Sequence, residues 1–251
     1  MKEYKDKLKS EQQWHTSTVN TKHFLNSKLF FSYKRNDFNY IFPKQQLSEC
    51  IIRTIKSNNP SVLIAPLGTG DDIKYIKPLA RDIHGIDISR EAVEKISDST
   101  INKYVGDISN MNMFADNQFD IVLVPLFFHH FVKYGFSDFL KEIYRTLKPG
   151  GHFFAIEPSS FYPLNCIIKC IKKTTGNITG AVEDETSFSP FLLSNAMKQS
   201  GFVNVKVIGE SFVHNRTPIF IAKLINKITY PLLKLPVIKY FAWMCIFYGK
   251  K

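Results

Sequence analysis

The sequence predicts an α/β protein built on a mostly parallel sheet with helices on both faces. Three observations carry that expectation. From Ser61 onward, short apolar runs alternate with helical patterns, the rhythm of parallel strands joined by crossover helices. A glycine-bearing turn, Leu67-Gly68-Thr69-Gly70-Asp71, joins the first such run to the first helical pattern. The chain has 251 residues, 44% apolar and 22% charged, which suffices for a buried core and excludes disorder or fibrous structure.

Taken in order, Ser61–Ala65 reads as the first strand, followed by a turn and a helix to about Ala80. His84–Ile88 reads as the second strand, and Ser89 caps a helix beginning near Arg90. Tyr104–Val105 is a short third strand that ends at Gly106-Asp107. Phe119–Val124 is apolar through its centre, as a strand covered on both faces should be. Phe139, Leu140, Ile143 and Leu147 recur at helical spacing over Ser137–Leu147, and Lys148-Pro149-Gly150-Gly151 is a stop signal. His152–Ile156 is the fifth strand. Beyond it, Phe161–Lys173 has a helical pattern and residues 174–186 read as an exposed loop. Ser189 with Pro190 starts a helix that Gly201 stops, Val203–Ile208 alternates as a strand, and Trp243–Tyr248 is a last apolar strand. Residues 1–43 read as an N-terminal helical cap, with Pro43 opening a helix to about Lys56.

The net charge of +11 is uneven. Residues 1–60 carry 11 basic and 5 acidic side chains (+6), residues 61–210 carry 15 and 17 (−2), and residues 211–251 carry 7 and none (+7). The basicity belongs to the two ends, whereas a nucleic-acid-coating protein is basic across its binding domain. No signal-like apolar stretch opens the sequence, and no run approaches the roughly 18 residues of a spanning helix, so a cytoplasmic protein is expected. The four cysteines, Cys50, Cys166, Cys170 and Cys245, are too scattered for a disulfide framework. No histidine accompanies the Cys166/Cys170 pair, so no metal site is expected.

The chemistry-bearing residues lie at the ends of the expected strands. Gly68 and Gly70 allow a ligand close to the backbone of the first turn, but Ile73 stands where a dinucleotide fingerprint needs its third glycine. Asp87 closes the second strand, where a carboxylate can accept both hydroxyls of a ribose. Asp107 closes the third, where it can accept from an adenine amino group. Each aspartate alone is an ordinary cap or turn former. Their succession at strand ends is what points to a ligand.

These pieces resemble the class I S-adenosylmethionine-dependent methyltransferases, in their small-molecule, ubiquinone-biosynthesis-like branch. Val62–Gly70 (VLIAPLGTG), His84–Ser89 (HGIDIS), Gly106–Ile108 (GDI), Asp116–Val124 (DNQFDIVLV), Leu126–His130 (LFFHH) and Leu147–Pro158 (LKPGGHFFAIEP) follow in the family's order. The resemblance implies a Rossmann-like seven-stranded sheet whose last strand, Trp243–Tyr248, is inserted antiparallel. It implies S-adenosylmethionine as cofactor, with Gly68, Thr69 and Gly70 along its methionine part. Asp87 would hold the ribose, Ile88 would flank the adenine, and Asp107 with Ile108 would meet the adenine edge. The implied organisation is a cap over residues 1–43, a cofactor-binding core over 44–160, and acceptor-side helices with the last strands over 161–251.

Two departures stand out. The family's first strand ends in an acidic residue followed two positions later by glycine, and here Ile64 and Pro66 occupy those places. Asp71 or Asp72 can replace the missing charge or simply complement the following helix N-terminus. The candidate general bases are His129 and His130, after the fourth strand, and secondarily Glu157, at the end of the fifth. No Asn/Asp-Pro-Pro-aromatic tetrapeptide follows the fourth strand, which argues against exocyclic amines of nucleobases as acceptors. The expected activity is methyl transfer to a small-molecule, glycan or lipid-linked acceptor. The alternatives are an RNA methyltransferase, or a non-catalytic cofactor-binding scaffold with a degenerate site.

In the basic tail, Thr217 with Pro218 starts a helix on which Lys223, Lys227 and Lys234 fall within about 40° of each other at 100° per residue. Ile221, Leu224, Ile225, Ile228 and Leu232 gather on the other side, and Pro231 should kink the helix. Such a helix can lie at the periphery of an anionic membrane, but packing its apolar side on the sheet is the ordinary arrangement and the one expected.

Overall fold

A computed structural model describes residues 2–17, 33–55, 57, 59–167, 186–215 and 217–251. Its strands are β1 (Ser61–Ile64), β2 (Asp82–Asp87), β3 (Ile101–Val105), β4 (Phe119–Pro125), β5 (Leu147–Pro158), β6 (Val203–Ser211) and β7 (Met244–Lys250). They form one seven-stranded sheet in the order β3-β2-β1-β4-β5-β7-β6, with β7 antiparallel to both its neighbours and the other strands parallel. The expected Rossmann-like sheet, with its late strand inserted antiparallel, is the sheet observed.

The apolar strand cores explain why both faces must be covered. Successive side chains along a strand point to opposite faces. Leu63, Val122, Val124, Phe153 and Phe247 join one buried cluster, while Val62, Ile64, Leu123, Phe154 and Ile246 join the other. The first cluster is closed by α5 (Ser137–Thr146) through Phe139, Leu140 and Ile143. It is also closed by α6 (Pro190–Gln199) through Leu193 and Met197. The second takes Leu47 and Ile51 from α2 (Tyr33–Thr54). Phe119, Phe153, Phe154 and Phe247 are fully buried, each contributing about 1.5–3 kcal/mol relative to an exposed side chain.

Several boundaries differ from the sequence reading. The first crossover helix, α3, spans only Ile73–Ile76 and gives way to turns before β2, while α4 (Arg90–Glu94) does start behind the Ser89 cap. β3 begins at Ile101, because its pairing with β2 outweighs the polar Asn102 and Lys103. The Lys148–Gly151 segment does not end in a loop. Leu147 pairs with Phe119, a register shift follows, and β5 runs on through it. Pro43 lies inside α2, which starts at Tyr33; the docked helix tolerates the lost N–H that a propensity argument counts against it. Of the helical pattern over 161–173, residues 165–167 are helical and 168–173 lie outside the described residues, as do 174–185 of the expected loop.

The tail corrects the sequence reading most. The helix α7 (Ile219–Thr229) begins at Pro218 and ends before Pro231, which terminates it and does not kink it. Its buried residues are Ala222 and Asn226, so the side turned to the protein is small and polar. The apolar side expected to pack on the sheet faces outward, with Ile221, Leu224, Ile228 and Leu232 exposed and Phe220 beside them. The reason is specific pairing: the buried Ser211 hydroxyl donates to Asn226 Oδ1 at 3.0 Å, and Asn39 of α2 clasps the preceding loop. Asn39 Nδ2 donates to the carbonyls of His214, Asn215 and Thr217 at 3.0–3.1 Å.

Candidate active site

The strand order reverses at β1 and β4: the chain runs outward through β2 and β3 on one side of β1 and through β4 and β5 on the other. The crevice beyond the carboxyl ends of such a pair is where an open α/β sheet accepts ligands. The turns after β1, β2 and β3 form one wall of it, and the turn after β4 with the end of β5 forms the other.

The first wall is built from backbone and carboxylates. Gly68 has φ +54°, and a side chain placed on it would meet nothing within 4 Å, so the turn presents an open cradle. Gly70, at φ +83°, is needed for packing, since an added Cβ would lie 2.9 Å from Ile73 Cδ1. Asp87 is only 2% exposed. Its Oδ2 accepts the Gly68 N–H at 2.7 Å and its Oδ1 accepts the Ser89 N–H at 2.9 Å. Each oxygen keeps a second lone pair for a ligand hydroxyl, and the same carboxylate fixes the glycine turn in place. Ile88 and Asp107 are half-buried and Ile108 is buried. Asp107 Oδ1 accepts the Ser109 N–H at 2.8 Å, an Asx turn that orients the carboxyl group. Thr69 is exposed, its hydroxyl 3.1 Å from Asp71 Oδ2, and Asp72 pairs with Lys44 at 2.9 Å.

The second wall is a buried histidine–carboxylate pair. At the end of β4 the backbone turns through Leu126, at φ +52°, a conformation L side chains rarely adopt. The turn aims three consecutive N–H groups at Glu157. Glu157 is fully buried, and its Oε1 accepts from Phe127 and Phe128 at 2.6 and 2.7 Å. Its Oε2 takes the His129 N–H at 3.4 Å and stands 2.7 Å from His129 Nδ1. A carboxylate so placed accepts only, so the ring donates from Nδ1 and its basic nitrogen is Nε2. Glu157 therefore does not face an acceptor as a base; it holds His129. His130, stacked obliquely on His129 with ring centroids 4.1 Å apart, bonds elsewhere.

Its partner is Glu11 on the N-terminal helix α1 (Lys2–Ser17), with Nδ1 3.2 Å from Oε1. Lys7 reaches the same Oε1 at 2.7 Å, and the Tyr4 hydroxyl donates to Ser109 Oγ at 3.2 Å. α1 thus touches both walls. Burial alone would raise the Glu11 carboxyl, but the hydrogen bond and charge of His130, then Lys7, outweigh it and bring the pKa to about 2. Burial pushes the Tyr4 phenol to about 12 despite the Ser109 hydrogen bond. None of these α1 contacts was legible in the sequence: the helix is polar, its mean hydropathy low, and the partners lie about a hundred residues away. We expect Glu11→Gln to loosen this helix, read as faster amide exchange over residues 4–11 with the sheet amides unchanged. Unaltered exchange there would contradict the latch.

Comparison with known proteins places the geometry. Residues 65–155, which hold the first wall and the turn after β4 but stop short of Glu157, match the family model described as "Methyltransferase domain". That segment is similar to a methyltransferase domain. Over 113 residues it is 35% identical to the ubiquinone/menaquinone biosynthesis C-methyltransferase UbiE of Geotalea daltonii, a match covering 41% of this chain and 47% of that protein. The match therefore spans about half of the relative's length. Among solved structures, the fold is similar to a methyltransferase of Thermotoga maritima described as a possible histamine N-methyltransferase. That likeness has TM-score 0.62 at 19% identity and covers 95% of this chain and 99% of that one. It is also similar to phosphoethanolamine N-methyltransferase 2 of Haemonchus contortus in complex with S-adenosyl-L-methionine. Here the TM-score is 0.53 at 16% identity, covering 91% of this chain and 59% of that one.

The Haemonchus structure holds S-adenosyl-L-methionine, and the residues present here fit such a cofactor. The open cradle at Gly68 admits a ligand against the backbone, and the Asp87 carboxylate retains acceptor capacity beside it. Ile64 and Pro66 supply no charge, and Asp72 is engaged by Lys44. Among the described residues no cluster of His, Cys, Asp and Glu could hold a metal ion.

Proposed function

We propose that this protein transfers a methyl group to a small hydroxyl-bearing or carbon-acid acceptor, with His129 taking the proton that the acceptor must lose. The observation that carries this reading is the buried His129–Glu157 pair at the reversal point of the sheet. When bound, S-adenosylmethionine supplies a methyl group on a positively charged sulfur, and in-line displacement needs mainly alignment. Gly68, Thr69 and Gly70 would line its methionine part, Asp87 its ribose, and Ile88, Asp107 and Ile108 its adenine. Glu157 orients the imidazole and fixes the Nδ1–H tautomer, leaving Nε2 to take the proton as the acceptor's O–H or C–H bond breaks. His130 is the latch for α1 and takes no part in proton transfer.

The name of the Geotalea relative, a C-methyltransferase, supports a proton-losing acceptor. An amine acceptor, as in the names of the two structural neighbours, makes less use of an oriented base. Tyr4 and Phe127, partly buried over the core residue Phe131 with ring centroids 6.1 and 4.8 Å from it, join the two walls with apolar surface that would suit a ring or a lipid-linked acceptor. Titration calorimetry is expected to show saturable binding of S-adenosylhomocysteine, weakened at least tenfold (about 1.4 kcal/mol) by Asp87→Asn. Failure of the folded wild-type protein to bind either S-adenosylmethionine or its demethylated product would overturn the reading.

A further inference from the structure

We propose that the surface formed by α7 and the turns after it docks on an anionic lipid bilayer. α7 seats its small and polar side, Ala222 and Asn226, and turns outward Phe220 (75% exposed), Leu224 (59%) and Ile228 (61%). The exposed face continues beyond the helix through Leu235, Val237 (67%) and Phe241. A surface helix ordinarily buries its apolar stripe, and a contiguous exposed patch of this kind marks an interaction site.

Charge selects the occupant. Lys223, Lys227 and Lys234 are exposed beside these side chains, and residues 211–251 contain seven basic and no acidic residues. Apolar side chains that enter the acyl boundary, flanked by lysines that meet anionic headgroups, are the combination that holds a helix in the plane of a membrane. No helix among the described residues is long and apolar enough to cross one, so the contact is peripheral. The mount is firm: Asn39 clasps the three carbonyls before α7, and the Ser211 hydroxyl bonds Asn226.

The location gives the docking a purpose. Ser211, at the end of β6, and Pro158, at the end of β5, both pair with Met244 at the start of β7. The segment 212–243 therefore emerges at the same edge of the sheet as Glu157 and the His129 turn. An acceptor residing in the bilayer would meet the protein on the edge that bears the base.

Flotation with vesicles tests the proposal without any turnover. We expect the protein to partition at least about tenfold more strongly onto phosphatidylcholine vesicles containing phosphatidylglycerol than onto phosphatidylcholine alone. The triple variant Lys223→Gln, Lys227→Gln, Lys234→Gln should lose that preference. Leu224→Asn with Ile228→Asn should lower binding to anionic vesicles about tenfold or more, with thermal unfolding unchanged because both side chains are exposed. Equal binding to both vesicle types, no binding, or wild-type binding by the lysine variant overturns the proposal. So does sedimentation showing self-association that the Leu224/Ile228 variant abolishes, since a second copy would then be the occupant. S-adenosylhomocysteine binding by the same preparations should be unaltered, so a failure here is distinct from failure of the methyl-transfer reading.

Discussion

His129→Ala should lower kcat by about two to four orders of magnitude on an acceptor that must lose a proton, while leaving S-adenosylhomocysteine affinity near the wild-type value. The magnitude is that of a general base positioned for proton transfer. The geometry explains why cofactor binding should survive: the glycine turn is held by Asp87, on the opposite wall from His129. Glu157→Gln is the sharper measurement. It keeps the size of the side chain but replaces a carboxylate oxygen with an amide, weakening the hold on His129 Nδ1 and on the N–H groups of Phe127 and Phe128. Activity should fall by about 10²-fold or more, with S-adenosylhomocysteine affinity unchanged. His130→Ala should cost far less in kcat, because its partner is Glu11. A wild-type rate in His129→Ala, measured on the enzyme's own acceptor, would dismiss the base.

Replacing Glu210 with glutamine should make the protein markedly more stable at neutral and alkaline pH. Glu210, in β6, is 3% exposed, and its Oε2 has no hydrogen-bond partner among the described residues. Burial, then the charge of Glu49, push its pKa up to about 8, with Arg53 opposing. Cys50 and Cys245 lie within its influence, both thiols being pushed up by burial first and by Glu210 second. The folded protein therefore keeps a proton that the unfolded chain releases above its ordinary value of 4.5. Stability is greatest below that value, falls as pH rises, and levels off above about 8. The loss across this window is on the order of 3 kcal/mol, since each tenfold change in proton affinity is worth about 1.4 kcal/mol and a buried site relaxes on ionising. Urea unfolding between pH 5 and pH 9 should show this decline in the wild-type protein and a flatter profile in Glu210→Gln. Identical slopes for the two proteins would show that Glu210 ionises freely.

The sheet was legible because fully buried parallel strands must be apolar in both registers. Val62–Ile64 and Ile121–Val124 could hardly be anything else once turn residues bounded them. The inserted antiparallel strand was expected only through the family resemblance; a bare apolar run such as Met244–Phe247 does not announce its direction. The glycine turn and the strand-end aspartates announced themselves, since both are short-range patterns. What escaped was long-range. Glu157 read as a candidate base because its position at a strand end was visible and its four donors were not. α1 offered no clear apolar stripe to follow, and it is held by the Glu11–His130 pair, the Tyr4–Ser109 hydrogen bond and the packing of Tyr4 and Leu8 on the core, all with residues far along the chain. α7 misled for the opposite reason: its wheel was read correctly, but Ala222 and Asn226 decide which side is buried, and neither looks like an anchor in sequence.

The Asn39 clasp has a mechanical consequence. One amide group restrains three carbonyls, those of His214, Asn215 and Thr217, in the loop that launches α7, and it projects from the helix that also covers the sheet. The clasp ties the outward helix to the helix packed on the sheet whose strand ends carry His129 and Glu157. An acceptor anchored in a bilayer beneath that face would have to be lifted to the height this attachment sets. In such an arrangement the length of the acceptor between its anchor and its reacting atom is itself a selection rule.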